Sequence, residues 1–202
     1  MFAFIDKFRK LREEHGIIPK LVENFPALSE FIEKRPSLGP ILNKFKPQPL
    51  STEDFVKDFC EQLSMAKHGT KIIIYSPFLS RSAVYKYLNY FKKAITNGAA
   101  ITVHTLSPDS YGVRKKDEQR GLIETLRNNH IDIKERMNMH EKAVIIIEGD
   151  EAKIAYLGSL NVLSKYEGKA DYMLKFTHPD IVYALHFFLE ILEEHSEEML
   201  KT

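Results

Sequence analysis

"MHEKAVIIIEGDEAKIAYLGSLN", residues 139–161, decides how the chain is read. Two apolar runs flank "EGDE", whose Gly-Asp pair suits a tight antiparallel turn. Side chains two apart on a strand share a face, so His140 and Lys142 project together where the first run begins. The reversal returns Gly158, Ser159 and Asn161 beside them. An imidazole, an ammonium, a hydroxyl, an amide and an accessible backbone then share one pocket, a set of groups suited to a phosphate diester. A neutral imidazole can attack phosphorus and form a covalent phosphohistidine. Lys142, Ser159 and Asn161 can donate to non-bridging oxygens as charge moves onto them, and Gly158 allows close backbone approach.

The segment before this hairpin alternates strand and helix. "STEDFVKDFCEQLSMAK" from Ser51 reads as a capped helix, "KIIIYSPF" as a buried strand, and "SAVYKYLNYFKKAITNG" as a helix ended by Gly98. A strand "AAITVHTL", a helix "KDEQRGLIETLRNNH" and a strand "IDIKERM" follow. This order implies parallel strands with right-handed crossovers. After the hairpin, "ADYMLKF" supplies another strand and "HPDIVYALHFFLEILEEHSEEML" a closing helix. The expected fold is α/β: a mixed sheet flanked by helices on both faces.

Residues 1–50 differ, holding six of the nine prolines, and read as a small Pro-punctuated helical arm. Residues 51–202 then form the main domain. With 29 Lys and Arg against 28 Asp and Glu, the net charge of +1 commits the molecule to neither nucleic acid nor membrane, so any binding face is local. The single cysteine, Cys60, rules out an internal disulfide and fits a reducing, cytoplasmic setting. No apolar run reaches the roughly 20 residues of a membrane span. Nothing in the sequence argues for a cofactor, and no carboxylate cluster near the hairpin points to a metal.

His140-Glu-Lys142 followed by Gly158-Ser159-Leu-Asn161 resembles the H-x-K…G-S-x-N signature of the phospholipase D superfamily. The layout of residues 53–193 looks like its nuclease-type members. The resemblance implies a phospholipase D-like fold and a metal-independent phosphodiesterase, an endonuclease acting on DNA or RNA. It also implies an acidic residue that hydrogen-bonds the nucleophilic His, matched here by Asp171, where the family has the longer Glu. Such chemistry needs two His residues, one attacking and one protonating the leaving oxygen. With one H-x-K in this chain, the resemblance implies a homodimer that unites two copies of His140. The family's usual Asp five residues after the Lys is Ile147 here; either the hairpin is longer and Glu148 or Asp150 takes that mainly structural role, or activity is weakened.

Around this center, Ser76 at the end of its strand is a candidate to line the cleft, although a structural role is the favored reading. Arg114, Lys115 and Lys116 in "RKKDEQR" are candidates to contact a phosphate backbone, with Tyr111 available to stack; with Asp117 and Glu118 in its midst, the stretch reads equally as a solvated helix start. His104 in "ITVHTL" could face the pocket but reads better as structural. Two further readings use the same residues: a phosphate-backbone binding module for a helicase or nuclease partner, motivated by Ile147 and the short Asp171, and a phospholipid-processing enzyme. A third, an assembly subunit driven by the proline-rich arm, predicts neither activity nor phosphate affinity.

Overall fold

The computed structural model describes residues 47–110, 115–165 and 171–198, with side chains through 190. All lie in the second of two compact units, Pro47–Thr202. The arm proposed for the N-terminal residues lies outside the described residues, apart from its last four. Gln48–Ser51, at the expected junction, form strand β1, paired antiparallel with Met173 and its neighbors. Pro49 disguised this strand, because proline lacks a ladder donor, yet an edge strand with one partner tolerates it.

Ser51 then caps α1 (Thr52–Met65), its hydroxyl accepting from Asp54 N–H at 3.1 Å. The chain continues as β2 (Thr70–Tyr75), α2 (Arg81–Thr96), β3 (Ala100–Leu106), α3 (Lys116–Arg127), β4 (Asp132–Arg136), β5 (Ala143–Glu148), β6 (Glu151–Gly158), β7 (Tyr172–Phe176) and α4 (Pro179–Glu198). The sheet order is β1-β7-β6-β5-β2-β3-β4, with β2, β3 and β4 parallel and every other pairing antiparallel. The expected α/β mixed sheet is therefore present.

Alternation along the strands divides the core. Ile72, Ile74, Val103, Val144, Ile146 and Tyr156 face one cluster with Phe55, Phe59, Leu63, Tyr87 and Phe91 from α1 and α2. Phe55 stacks on Phe59 at 5.6 Å and meets Tyr156 edge-on at 5.2 Å, the geometries that aromatic quadrupoles favor. Tyr156 is buried on all sides, and its hydroxyl donates to Asp58 at 2.9 Å while Lys175 pairs with the same carboxylate at 2.7 Å. Burial, then the Asp58 charge, pushes the Tyr156 phenol far above its ordinary pKa, so it stays a donor. Of the aromatic residues on α2, Tyr87 and Phe91 are core, whereas Tyr85 and Tyr90 are exposed.

On the opposite face, residues such as Tyr75, Ile145, Ala155 and Phe176 are buried, and α4 packs there against β6. His104 stacks on Tyr75 with centroids 4.4 Å apart. Burial, then the Arg136 and Lys134 charges, lowers its pKa to about 4. His104 is therefore structural and neutral at physiological pH. Above its unfolded value near 6.5 it is neutral in both states; as pH falls from there toward 4, only the unfolded chain takes the proton, and stability is lost. We expect His104→Phe, which keeps the stacking but cannot be protonated, to remove about 2–3 kcal/mol of the stability lost between about pH 7.5 and 4.5. Urea unfolding of both proteins at the two pH values measures this; parallel acid losses would contradict it.

Candidate active site

Strand register brings the candidate residues to one edge of the sheet. Tyr75 at the end of β2 pairs with Ala143 at the start of β5, Ala143 with Leu157, and Gly158 with Met173. His140 and Lys142 lead into β5, Ser159 and Asn161 leave β6, and Asp171 leads into β7. Three neighboring strands about 4.8 Å apart thus deliver all five to the same edge. It is also the carboxyl edge of the parallel strands, where α/β sheets place ligands.

The backbone there is tied across strands. Gly158 N–H donates to the Lys142 carbonyl at 3.2 Å, and Lys142 Nζ donates to the His140 carbonyl at 2.9 Å. The His140 side chain is exposed, and no described residue hydrogen-bonds its imidazole. Ser159 N–H donates to the Tyr172 carbonyl at 3.1 Å, and its Oγ accepts from Tyr172 N–H at 3.2 Å.

Asp171 departs from the expectation. Its Oδ1 accepts from Ser159 Oγ at 2.9 Å, and it does not hydrogen-bond His140. Asp171 leads into the strand next to Ser159, and among the described residues its short side chain hydrogen-bonds that neighbor alone. The Ser159 hydroxyl proton is accordingly engaged in fastening β6 to β7. Gly158 also acts otherwise than expected: a Cβ there would collide with the Tyr172 carbonyl, so the missing side chain admits the neighboring strand rather than a ligand. Asn161 is half-buried, and its Oδ1 has no hydrogen-bond partner among the described residues. An unpaired buried acceptor costs about 1–3 kcal/mol, so an arriving donor would bind there favorably.

The remaining candidates separate. Ser76 is fully buried; its hydroxyl donates to the Phe78 carbonyl at 3.1 Å and accepts from Leu163 N–H at 3.0 Å. It secures the loop after Asn161 and cannot line a cleft. Lys115 and Lys116 are exposed beside the N-terminus of α3, at the same edge, in solvent-screened pairs with Glu118 (3.2 Å) and Asp109 (3.9 Å). Arg114 and Tyr111 lie outside the described residues. Ile147 stands four residues along β5 from Ala143, about 13 Å from that edge at ~3.3 Å per residue. Beside it, Glu148 forms an exposed ion pair with Lys67 at 3.5 Å.

Sequence reasoning passed over Arg136 and Glu141. The Arg136 side chain is 5% exposed and its Nη2 lies 3.6 Å from Glu141 Oε1, while Glu141 Oε2 accepts from His140 N–H at 2.9 Å. Their only signal was the acid inside H-x-K and a basic residue closing the preceding strand. No group of three or more His, Cys, Asp or Glu among the described residues is placed to hold a metal ion.

Residues 59–190 match the model of the family described as cardiolipin synthase, PLD-like domain. The chain belongs to this phospholipase D-like family. Solved structures share the phospholipase D-like fold. Nuc from Salmonella typhimurium, a phospholipase D family member, superposes with a TM-score of 0.51 at 13% identity, covering 72% of this chain and 93% of its own. NucT from Helicobacter pylori gives 0.51 at 20% identity, covering 73% and 96%. Polyphosphate kinase from Porphyromonas gingivalis gives 0.56 at 19%, covering 89% of this chain but 29% of the kinase. No curated protein sequence matches.

Proposed function

We propose that this phospholipase D-like protein is a phosphodiesterase that hydrolyzes DNA or RNA through a covalent phosphohistidine in a homodimeric site, working without a metal ion. The observation that carries the reading is the meeting of His140 and Lys142 with Ser159 and Asn161 at one sheet edge, in a fold resembling the Nuc-type nucleases. A ring nitrogen of one His140 attacks phosphorus, the P–O ester bond breaks, and the leaving oxygen takes its proton from the partner subunit's His140. Water then attacks the phosphohistidine, the partner imidazole accepts its proton, and the P–N bond breaks. Lys142 and the Asn161 amide stabilize charge on the non-bridging oxygens, and Asp171 acts through Ser159 by fixing the β6–β7 junction. Lys115 and Lys116 extend the phosphate contacts. The single cysteine supports a cytoplasmic setting, and among the described residues no helix is long and apolar enough to cross a membrane.

The test is cleavage of plasmid, single-stranded DNA and RNA in excess EDTA. Turnover of any of them supports the reading and names the substrate. Failure on all three by folded dimer overturns nucleic-acid hydrolysis; tight backbone binding without turnover would then support a binding module for a DNA-processing assembly, and turnover of phospholipid a lipid enzyme.

A further inference from the structure

We infer that Arg136 and Glu141 form a positioning pair that sets the direction of the His140 imidazole, an assignment that rests on His140 being the reacting group. His140 lies between β4 and β5 in a segment without regular structure, and among the described residues nothing hydrogen-bonds its ring. The backbone of His140 must therefore aim the side chain. Both polar groups of that backbone are held by charged neighbors: Glu141 Oε2 accepts from its N–H at 2.9 Å, and Lys142 Nζ donates to its carbonyl at 2.9 Å.

Lys142 is anchored through its carbonyl to Gly158 N–H. Glu141 is anchored through Arg136, whose side chain is 5% exposed against 17% for Glu141, with 3.6 Å between the charged atoms. Arg136 closes β4 and pairs in register with Leu106, and its carbonyl accepts from Ser107 N–H at 2.8 Å, so its guanidinium projects from a fixed point of the sheet. A buried ion pair adds little net stability, because desolvation offsets the attraction. Geometry and charge are where this pair acts. Glu141 alone would set a carboxylate beside the proposed phosphodiester site; Arg136 neutralizes it and leaves the Lys142 charge uncompensated.

Two consequences separate this role from a merely structural one. Arg136→Met leaves the Glu141 carboxylate to repel an anionic substrate, raising KM, and frees the His140 amide to move, lowering kcat; kcat/KM should fall about a hundredfold. Glu141→Gln keeps an acceptor for the His140 N–H and should lose only about tenfold. In Arg136→Met/Glu141→Gln the uncompensated charge is gone, and kcat/KM should recover to within a few-fold of Glu141→Gln. Equal losses in Arg136→Met and the double variant, or changes in melting temperature with kcat and KM intact, would overturn the pairing.

The amide readout needs no activity. Exchange of the His140 N–H, followed by NMR on the full chain, should accelerate at least about tenfold in Glu141→Ala and Arg136→Met, while core amides such as Ile145 stay unchanged. Unchanged His140 exchange overturns the proposal even in an active enzyme. If wild type cleaves no substrate, the catalytic reading fails on its own, and the exchange result still decides whether the pair fixes this backbone.

Discussion

His140→Ala is expected to lower phosphodiester cleavage by about four orders of magnitude or more, leaving the fold intact. The side chain is exposed and hydrogen-bonded by no described residue, so its removal opens no cavity and orphans no buried group. The loss is large because one residue fills two roles: the homodimer loses nucleophile and general acid together. Subunit mixing tests the shared site directly. If each dimer needs both His140 side chains, an equal mixture after exchange retains about a quarter of the wild-type activity, whereas independent sites retain about half. Wild type incubated with substrate and quenched in base should yield a phosphoenzyme that the variant does not form. A variant retaining more than a few per cent of activity would exclude His140 as the attacking group.

How much of this was legible in the sequence follows from which interactions are periodic. The two apolar runs flanking "EGDE" indicated a hairpin, and a hairpin necessarily returns Ser159 and Asn161 to the level of Lys142. The parallel order of β2, β3 and β4 followed from the intervening helices. What stayed hidden depends on neighbors no period announces. Asp171 meets Ser159 only because β7 lies beside β6. Ser76 looked like a strand-end cleft residue, but the loop after Asn161 folds back and buries its hydroxyl against Leu163 N–H. Arg136 and Glu141 stand five positions apart across an irregular turn, a separation at which neither a strand nor a helix pattern places side chains together.

Gly158→Ala should be the most damaging single-methyl change at the site, destabilizing the protein by about 3 kcal/mol or more. An ideal Cβ at this position would collide with the Tyr172 carbonyl and stand 3.0 Å from both Met173 Cα and Met173 Sδ. The methionine sulfur could swing away, but the carbonyl and the Cα belong to the paired strand and move only if β7 moves. Separating β7 from β6 would strain the Ser159 and Tyr172 backbone bonds and pull Asp171 from Ser159. Activity should therefore fall together with stability. Gly121→Ala supplies the opposite sign: Gly121 sits inside α3, exposed, and a methyl added there has no neighbor within 4 Å. The alanine reduces the freedom of the unfolded chain without a clash in the folded one, which should stabilize by about 0.5–1 kcal/mol. Urea unfolding of both variants measures the contrast. A Gly158→Ala protein as stable as wild type would mean that β6 and β7 leave room for a methyl between them, and would return Gly158 to the substrate role its motif implies.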